Sequence, residues 1–308
     1  MSKDKLARVY HADLWGSREE KYAWLSEHDW KHTPWEELHP GPEFYLFVPT
    51  GKTALEEQYN TFPKVTEIFP VYSVGIVTAR DNFAVCFDKE ALKRRIRTFL
   101  DPNLPDNLVR QTFGLKDSKA WNLEVARKIL RNDTDWQRKI VRCLYRPFDV
   151  RWLFYHPALV ERPREEVMRH MVAGENLGLL WTRPMSPTYE FSVLCSQYVA
   201  DQCVVGNKTA GAGISYIGPL YLFPDVSRKD LFIDHEPTEK KPNLNDKVVA
   251  VLASVYKQTP TPQEVFSYIY AVLYTPTYRE NYAEFLRIDF PRIPFTSCLL
   301  YTSPSPRD

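Results

Sequence analysis

The chain has 308 residues, of which 44% are hydrophobic and 14% aromatic. That apolar content is enough for a substantial core and excludes a disordered chain. The formal net charge is only +1, which excludes a globally basic nucleic-acid binder, so any contact with nucleic acid must come from local patches of cationic side chains.

The N-terminal part of the chain, residues 1–115, is predicted to be rich in β-structure. Strand-like runs occupy 44–48, 73–78 and 83–87, and the short polar turn at 80–82 predicts that the last two form a hairpin. Asp88 then stands where a helix N-cap belongs, and apolar residues at helical spacing follow from 89 to 100.

The central part, residues 116–224, is predicted to mix helices and strands. Ser118 and Thr134 are candidate N-caps for two helices between 117 and 145. A third helix is predicted around 162–173, with Pro163 in its first turn. Apolar runs predict the strands 151–155, 178–181, 193–194 and 220–223.

The C-terminal part is predicted to be helical over 246–297, with helices at 246–257, 262–274 and 276–287. The polar, proline-bearing stretch 225–245 before it reads as an exposed loop. Because helices and strands alternate without a regular βαβ repeat, the sequence predicts an α+β fold.

No cysteine pattern indicates a metal site or a disulfide framework. The cysteines form no CxxC pair, and no histidine stands at zinc-finger spacing from one. No signal peptide and no membrane-spanning apolar run is visible, so we expect a soluble cytoplasmic protein with reduced thiols and no membrane partner. The five cysteines are Cys86, Cys143, Cys195, Cys203 and Cys298.

Two short motifs resemble sites that carry chemistry. Gly51-Lys52-Thr53 resembles the end of a phosphate-binding loop, but Leu46 occupies the position of the first glycine and Pro49 removes an N–H donor, so a surface turn is favoured. Asp225, Glu239 and Lys241 match the bare pattern of a metal-dependent nuclease. Because Glu239 lies in a proline-flanked loop, a solvated charged loop is favoured there.

The signatures of a DNA methyltransferase are absent from the sequence. There is no Asn/Asp-Pro-Pro-aromatic tetrapeptide and no glycine-rich strand–turn–helix that could hold S-adenosylmethionine. We therefore predict no catalytic residue, no metal site and no cofactor for this chain.

Arginines and lysines beside aromatic residues are the remaining functional signal, because arginine binds phosphates or guanine edges with two hydrogen bonds. The candidate contacts for a nucleic acid are Arg80, Arg94, Arg95, Arg97, Arg183 and Lys208, although no cluster of them identifies a DNA binder by itself. For the three arginines in 94–97, a solvated helix face is an equal alternative. A second set is spaced like a network that pins strands together, and for its first four members a contact with nucleic acid is an equal alternative: Arg146, Asp149, Arg151, Arg162 and Arg164.

Several long segments resemble the C-terminal specificity region of type ISP restriction–modification enzymes. They are residues 13–18, 73–83, 145–151, 161–168, 218–223 and 262–294. Related N6-adenine methyltransferases that carry their own recognition domain share the last of them. The resemblance implies that the chain recognises a target sequence in double-stranded DNA.

In such enzymes one polypeptide joins a nuclease, a helicase-like motor, an adenine methyltransferase and the recognition region. The resemblance therefore implies methyltransferase and motor domains as partners, and S-adenosylmethionine, ATP and Mg²⁺ as cofactors of the parent enzyme. A metal-dependent nuclease or hydrolase and a protein–protein coupling module are the alternative functions. Residues 298–308 resemble translated sequencing-adaptor sequence, so we expect a non-native tail and a chain truncated at both ends.

Overall fold

The computed structural model describes residues 7–41, 45, 47, 49, 54–119, 121–183, 191–205, 213–224 and 239–295. The described helices are α1 (Arg18–Glu27), α2 (Ala54–Asn60), α3 (Val65–Ile68), α4 (Asp81–Ala84), α5 (Lys89–Leu100), α6 (Asp106–Phe113), α7 (Leu123–Arg131), α8 (Glu165–Val172), α9 (Asp246–Tyr256), α10 (Pro262–Tyr274), α11 (Pro276–Asn281) and α12 (Ala283–Ile288). The described strands are β1 (Val9–His11), β2 (Glu36–Leu38), β3 (Ser73–Val74), β4 (Val85–Cys86), β5 (Ile140–Arg146), β6 (Asp149–Phe154), β7 (Gly178–Thr182), β8 (Val193–Ser196), β9 (Val199–Ala200), β10 (Ser215–Pro219), β11 (Tyr221–Leu222) and β12 (Lys241–Pro242). This mixture confirms the predicted α+β class.

The chain divides into two compact units, Met1–Gln58 and Tyr59–Asp308. In the first unit, β1 and β2 form an antiparallel pair. Helix α1 begins after Ser17, whose hydroxyl accepts from the backbone N–H of Glu20 while the Glu20 carboxylate accepts from the Ser17 N–H at 2.6 Å. This reciprocal capping satisfies two N–H groups that the first helical turn leaves unpaired.

In the second unit, the central sheet has the strand order β3-β10-β7-β8 and is antiparallel throughout. All five residues of β7 are buried, because the sheet is covered on both faces. Leu180 of β7 packs into a first hydrophobic core, whereas Leu179 and Trp181 pack into a second. The two cores thus lie on opposite faces of one strand.

The hairpin sheet has the order β4-β6-β5-β9, in which β9 alone runs parallel to its neighbour. This sheet and helices α5 to α8 enclose the first core. Helix α5 contributes Leu92, Ile96 and Phe99, which share one face at helical spacing. Asp88 caps this helix by accepting from the N–H of Ala91 at 2.6 Å, as predicted.

A short extended segment after β3 connects the two sheets. The N–H of Gly75 donates to Ser215 O of the central sheet at 3.0 Å, and the next N–H, that of Ile76, donates to Ala200 O of the hairpin sheet at 2.9 Å. A Cβ atom on Gly75 would lie 2.5 Å from the Asp201 carbonyl. Only glycine permits this close approach of two backbones.

Helices α9 to α12 cover the other face of the central sheet and enclose the second core. Helix α10 begins with Pro262 at its first position and a capping box formed by Thr261 and Glu264. The predicted helices 246–257 and 262–274 are confirmed. The predicted helix 276–287 is two short helices that break at Tyr282.

The predicted hairpin of 73–78 and 83–87 is wrong. Ser73–Val74 pairs with β10 and Val85–Cys86 pairs with β6, and α4 lies between them. Ala79 takes a left-handed backbone conformation (φ +56°) that turns the chain away from a hairpin path. Both runs have strand character, but their partners lie far away in the sequence.

Two predicted helix starts are also wrong. Ser118 caps no helix, because α7 begins at Leu123 and its cap is Asn122. After Thr134 there is only a short 3₁₀ helix, Trp136–Lys139, before the chain becomes β5. The spacing of the apolar residues in 136–144 suits a helix as well as a strand, and pairing with β6 and β9 decides for the strand.

The remaining boundaries differ in smaller ways. Helix α8 starts at Glu165, so Pro163 precedes it instead of lying in its first turn. In the predicted loop 225–245, Lys241–Pro242 forms β12, which pairs with β11, while residues 225–238 lie outside the described part. The predicted strand 44–48 also falls mostly outside it. The predicted strands within β6, β7, β8 and β11 are confirmed.

Candidate nucleic-acid interface

Cationic and aromatic side chains lie along the β5–β6 hairpin toward the end where a tight turn joins the two strands. Arg146 and Asp149 are paired across the strands, so the turn consists of Pro147 and Phe148 alone. Proline at the first turn position fixes the backbone angle that such a turn needs. The Phe148 side chain points into solvent, with 92% of its surface exposed.

On one face of this end, the Arg151 guanidinium lies between two aromatic rings. Its central carbon is 4.2 Å from the ring centroid of Phe87 and 4.2 Å from that of Tyr145. Asp149 holds the same guanidinium through two of its nitrogens, the shorter contact being 2.6 Å. The hydrogen bonds from Arg151 lower the pKa of the Asp149 carboxyl. The arginine is thereby fixed in orientation before any ligand arrives.

Arg146 lies on the same turn and is held in a similar way. One of its nitrogens donates to the buried carboxylate of Asp201 at 3.1 Å, and the guanidinium packs 4.1 Å from the Tyr145 ring centroid. The structure thus joins three of the five residues of the predicted network: Arg146 and Arg151 share the ring of Tyr145, and Asp149 is paired with Arg151.

On the other face, Trp152 of β6 is bracketed by two cations. Arg142 is its direct partner on β5, and the guanidinium carbon lies 5.0 Å from the indole centroid. The ammonium of Lys89, the first residue of α5, lies 4.5 Å from the same ring. Arg142 is also 5.8 Å from the ring of Tyr198. Guanidinium and ammonium groups over an indole face gain cation–π attraction.

Helix α5 extends this cationic surface. Lys93 and Arg97 follow Lys89 at intervals of four residues, so the three cations lie on one helical face. Lys93 is paired with Glu90 at 2.7 Å, whereas Arg97 is exposed. We call Lys89, Arg97, Arg142, Arg146, Phe148, Arg151 and Trp152 the hairpin-end surface.

The predicted trio on α5 separates into different environments. Arg94 and Arg97 are exposed to solvent. Arg95 instead points toward α4, and one of its nitrogens donates to the carbonyls of Asn82 at 2.9 Å and Phe83 at 2.8 Å. Arg95 therefore caps the C-terminal carbonyls of α4.

Arg80 is almost entirely buried, with 7% of its side chain exposed. Its guanidinium donates to Leu159 O at 2.8 Å, pairs with Glu161 at 2.8 Å and stacks 3.9 Å from the Trp121 ring centroid. These contacts give Arg80 a structural position, and its contact with DNA stays a prediction. Beside it lies an open cleft of about 720 Å³ whose lining includes Asn82, Lys116 and Tyr145.

The other predicted residues come from segments that follow the β5–β6 hairpin in the chain. Arg183 follows β7 in the central sheet, 5.5 Å from the ring of Phe290. Arg162 is exposed and pairs with Val77 through its backbone, and Arg164 is the N-cap of α8 with a left-handed φ of +53°. Lys208 lies outside the described residues.

Four members of the site were not predicted from the sequence: Lys89, Arg142, Phe148 and Trp152. The available signal was the alternation of cationic and aromatic residues along 142–152, which becomes readable only with the register of β5 and β6. Asp225 of the nuclease alternative lies outside the described residues, and Glu239 and Lys241 are exposed. Among the described side chains, no group of three or more His, Cys, Asp or Glu could hold a metal ion. Of the helices that the structure describes, none is both long and apolar enough to cross a membrane.

A family model described as the Type ISP C-terminal specificity domain matches residues 67–299. No curated protein matches the chain.

Three solved structures are similar in fold. A cryo-EM structure of a DrdV–DNA complex has 23% sequence identity and a TM-score of 0.62 over 90% of this chain. A nuclease-deletion mutant of the Type ISP enzyme LlaGI, in complex with a DNA substrate mimic, has 20% identity and a TM-score of 0.58 over 94%. The ATP-dependent Type ISP enzyme LlaBIII, bound to DNA, has 19% identity and a TM-score of 0.59 over 84%. The chain spans 27%, 22% and 16% of the length of these chains, respectively.

Proposed function

The chain belongs to the Type ISP C-terminal specificity domain family, and from that membership we propose that it binds double-stranded DNA and recognises a target sequence through the hairpin-end surface. The observation that carries the proposal is the bracketing of Trp152 by Lys89 and Arg142 on one face, with Arg151 fixed between rings on the other. The structures with this fold that are named above contain DNA, in accord with the proposal.

The chemistry of this surface suits a duplex. Lysine and arginine neutralise phosphates and release counterions, which supplies affinity without reading sequence. An arginine whose orientation is fixed can donate two parallel hydrogen bonds to a guanine edge in the major groove. That groove admits a two-stranded β-ribbon, and beyond the residues that pair with β4 and β9 the β5–β6 hairpin continues to its turn as two strands.

Binding of this kind would serve other domains of a longer polypeptide. We propose methyltransferase and motor domains as those partners, with S-adenosylmethionine, ATP and Mg²⁺ bound by them. By holding the duplex in register, the specificity domain would present the target adenine for extrusion into a methyltransferase pocket. The described residues of this chain would position the DNA and would leave the chemical step to the other domains.

A binding titration with the full chain tests the proposal. Short fluorescent duplexes with a randomised centre serve as the probe, and affinity is measured at increasing salt. We expect affinity to fall with salt, and Arg142→Ala to weaken binding and to reduce the slope of log K against log[salt] by about 1.

Lys247→Ala is the matched control, because Lys247 is an exposed cation in α9. If it weakened binding as much as Arg142→Ala does, the hairpin-end surface would not be the interface. Absence of any salt-dependent binding by the wild-type chain would overturn DNA recognition and favour a protein–protein coupling module.

A further inference from the structure

The tip of the β5–β6 hairpin exposes a large apolar side chain. Phe148 is 92% exposed, the highest value of any large hydrophobic residue that the structure describes. It occupies the second position of a turn that contains only Pro147 and itself. A phenylalanine in this place contributes nothing to either core.

The backbone of Phe148 is also unfavourable for its side chain. Its φ is +60°, in the left-handed region where Cβ crowds the backbone and where glycine or asparagine is normally found. The turn would therefore be more stable with either of those residues. Neither core packing nor backbone preference therefore accounts for a phenylalanine at this position.

The charges around the tip indicate the kind of partner. Arg146 and Arg151 stand on the two strands that the turn connects, each held against the ring of Tyr145. Although each guanidinium also pairs with a carboxylate, Arg146 with Asp201 and Arg151 with Asp149, guanidinium groups at the base of a protruding apolar tip suit a polyanion with an apolar interior, which describes duplex DNA. Phosphates would meet the arginines, and the stacked bases would meet the ring.

We propose that Phe148 is a wedge that inserts between adjacent base pairs of the bound duplex and unstacks them. Apolar side chains inserted in this way kink the duplex and bring more of it against the protein. The two-residue turn is narrow enough to enter a groove, and the arginines behind it would limit how far the ring penetrates. The inference rests on the proposed DNA binding and adds a distortion of the bound site to it.

The test uses the full chain and duplexes enriched by the wild-type protein from a pool with a randomised centre. Permanganate oxidises thymines that have lost their stacking, so it reports the inserted step directly. With the wild-type chain we expect a local permanganate-sensitive step within the bound site.

Three substitutions at the tip separate insertion from a structural role. Phe148→Ala should abolish the sensitive step and weaken binding about 5- to 150-fold, the range for loss of one base–aromatic stack. Phe148→Asn, which suits the left-handed turn, should do the same while raising the melting temperature. Phe148→Trp should retain the sensitive step.

Trp15→Ala provides the control, because Trp15 is an aromatic residue with 82% exposure in the first unit of the chain. It should leave both readouts unchanged. If wild-type binding is strong but Phe148→Ala retains affinity and the sensitive step, the wedge is wrong and DNA recognition stands. If the wild-type chain binds no duplex, both proposals are overturned.

Discussion

The side-chain amide of Asn243 pairs with the backbone of Val71 as a neighbouring strand would. The N–H of Val71 donates to Asn243 Oδ1 at 3.0 Å, and Asn243 Nδ2 donates back to Val71 O at 2.7 Å. The same Nδ2 donates to Pro219 O at 2.8 Å, at the end of β10. One buried amide therefore joins the chain before β3, the end of the central sheet and the segment that leads into α9.

Asn243→Ala should lower the free energy of unfolding by about 3 kcal/mol, because it leaves shielded backbone groups at Val71 and Pro219 without a partner. Urea denaturation of the purified chain measures this loss. Asn245→Ala is the matched control, since it removes the N-cap of α9 and one exposed hydrogen bond to Glu67 O and should cost about 1 kcal/mol. Equal losses for the two variants would show that the Asn243 amide has no special role.

Arg127→Met should also destabilise the fold, by about 3 kcal/mol. The buried Arg127 guanidinium donates to Phe99 O at 2.7 Å, Asp101 O at 2.7 Å and Leu104 O at 3.0 Å, and it pairs with Asp106. Methionine fills a similar volume but removes the donor from Phe99 O and Leu104 O, whereas Asp101 O keeps its bond from Arg131.

The comparison for Arg127 is its neighbour on α7, Arg131. Its two hydrogen bonds, to Leu100 O at 3.0 Å and Asp101 O at 2.9 Å, are exposed to solvent. Arg131→Met should cost less than about 1 kcal/mol. Thermal or urea unfolding that ranks the two variants in the opposite order would contradict this assignment.

Arg95 and Arg97 should separate in a combined stability and binding measurement. Arg95→Ala should lower the melting temperature, because the carbonyls at the end of α4 lose their donor. Arg97→Ala should leave the melting temperature unchanged and reduce the salt slope of DNA binding by about 1. A salt slope that responds to Arg95→Ala and not to Arg97→Ala would reverse the two roles.

Stability should fall on mild acidification because of His156. Burial lowers the pKa of His156 below its ordinary value of 6.5, and its Nδ1 accepts a hydrogen bond from the N–H of Ala158 at 3.0 Å. Since the folded protein binds this proton less tightly than the unfolded chain, the stability from neutral His156 is fully present above pH 6.5. It is lost as the pH falls below 6.5 toward the lower pKa of the folded state.

His156→Asn is the test of that pH dependence, because an asparagine oxygen can accept from Ala158 without titrating. Melting temperatures measured between about pH 8 and about pH 5 should decline less steeply for the variant than for the wild type. Parallel curves for the two proteins would assign the acid sensitivity to other groups.

Helices such as α5 and α10 could be predicted from the sequence because their signals are local. Asp88 and Thr261 cap them, and the apolar residues of one face follow within a few turns. Strands β3 and β4 could not be paired correctly, since their partners β10 and β6 lie far along the chain. The adjacency of two strand-like runs carries no information about long-range pairing.

The candidate site was predictable in residue type but not in arrangement. The sequence shows that arginines stand beside aromatic residues around 142–152, yet the partnership of Arg142 with Trp152 depends on the register of the hairpin. Arg95 and Arg97 look equivalent in the sequence. Only the position of α4 shows that Arg95 is hydrogen-bonded to its carbonyls, while Arg97 is exposed to solvent.

Strand β7 has a mechanical consequence for the second unit. Leu180 belongs to one core, and Leu179 and Trp181 belong to the other. Because both cores pack on β7, a displacement of this strand would disturb the packing of both. The segment around Gly75 adds a second tie between the two sheets. If the proposed DNA binding moved the hairpin sheet, these two connections would pass the movement to the central sheet and so to the helices α9 to α12 that pack on it.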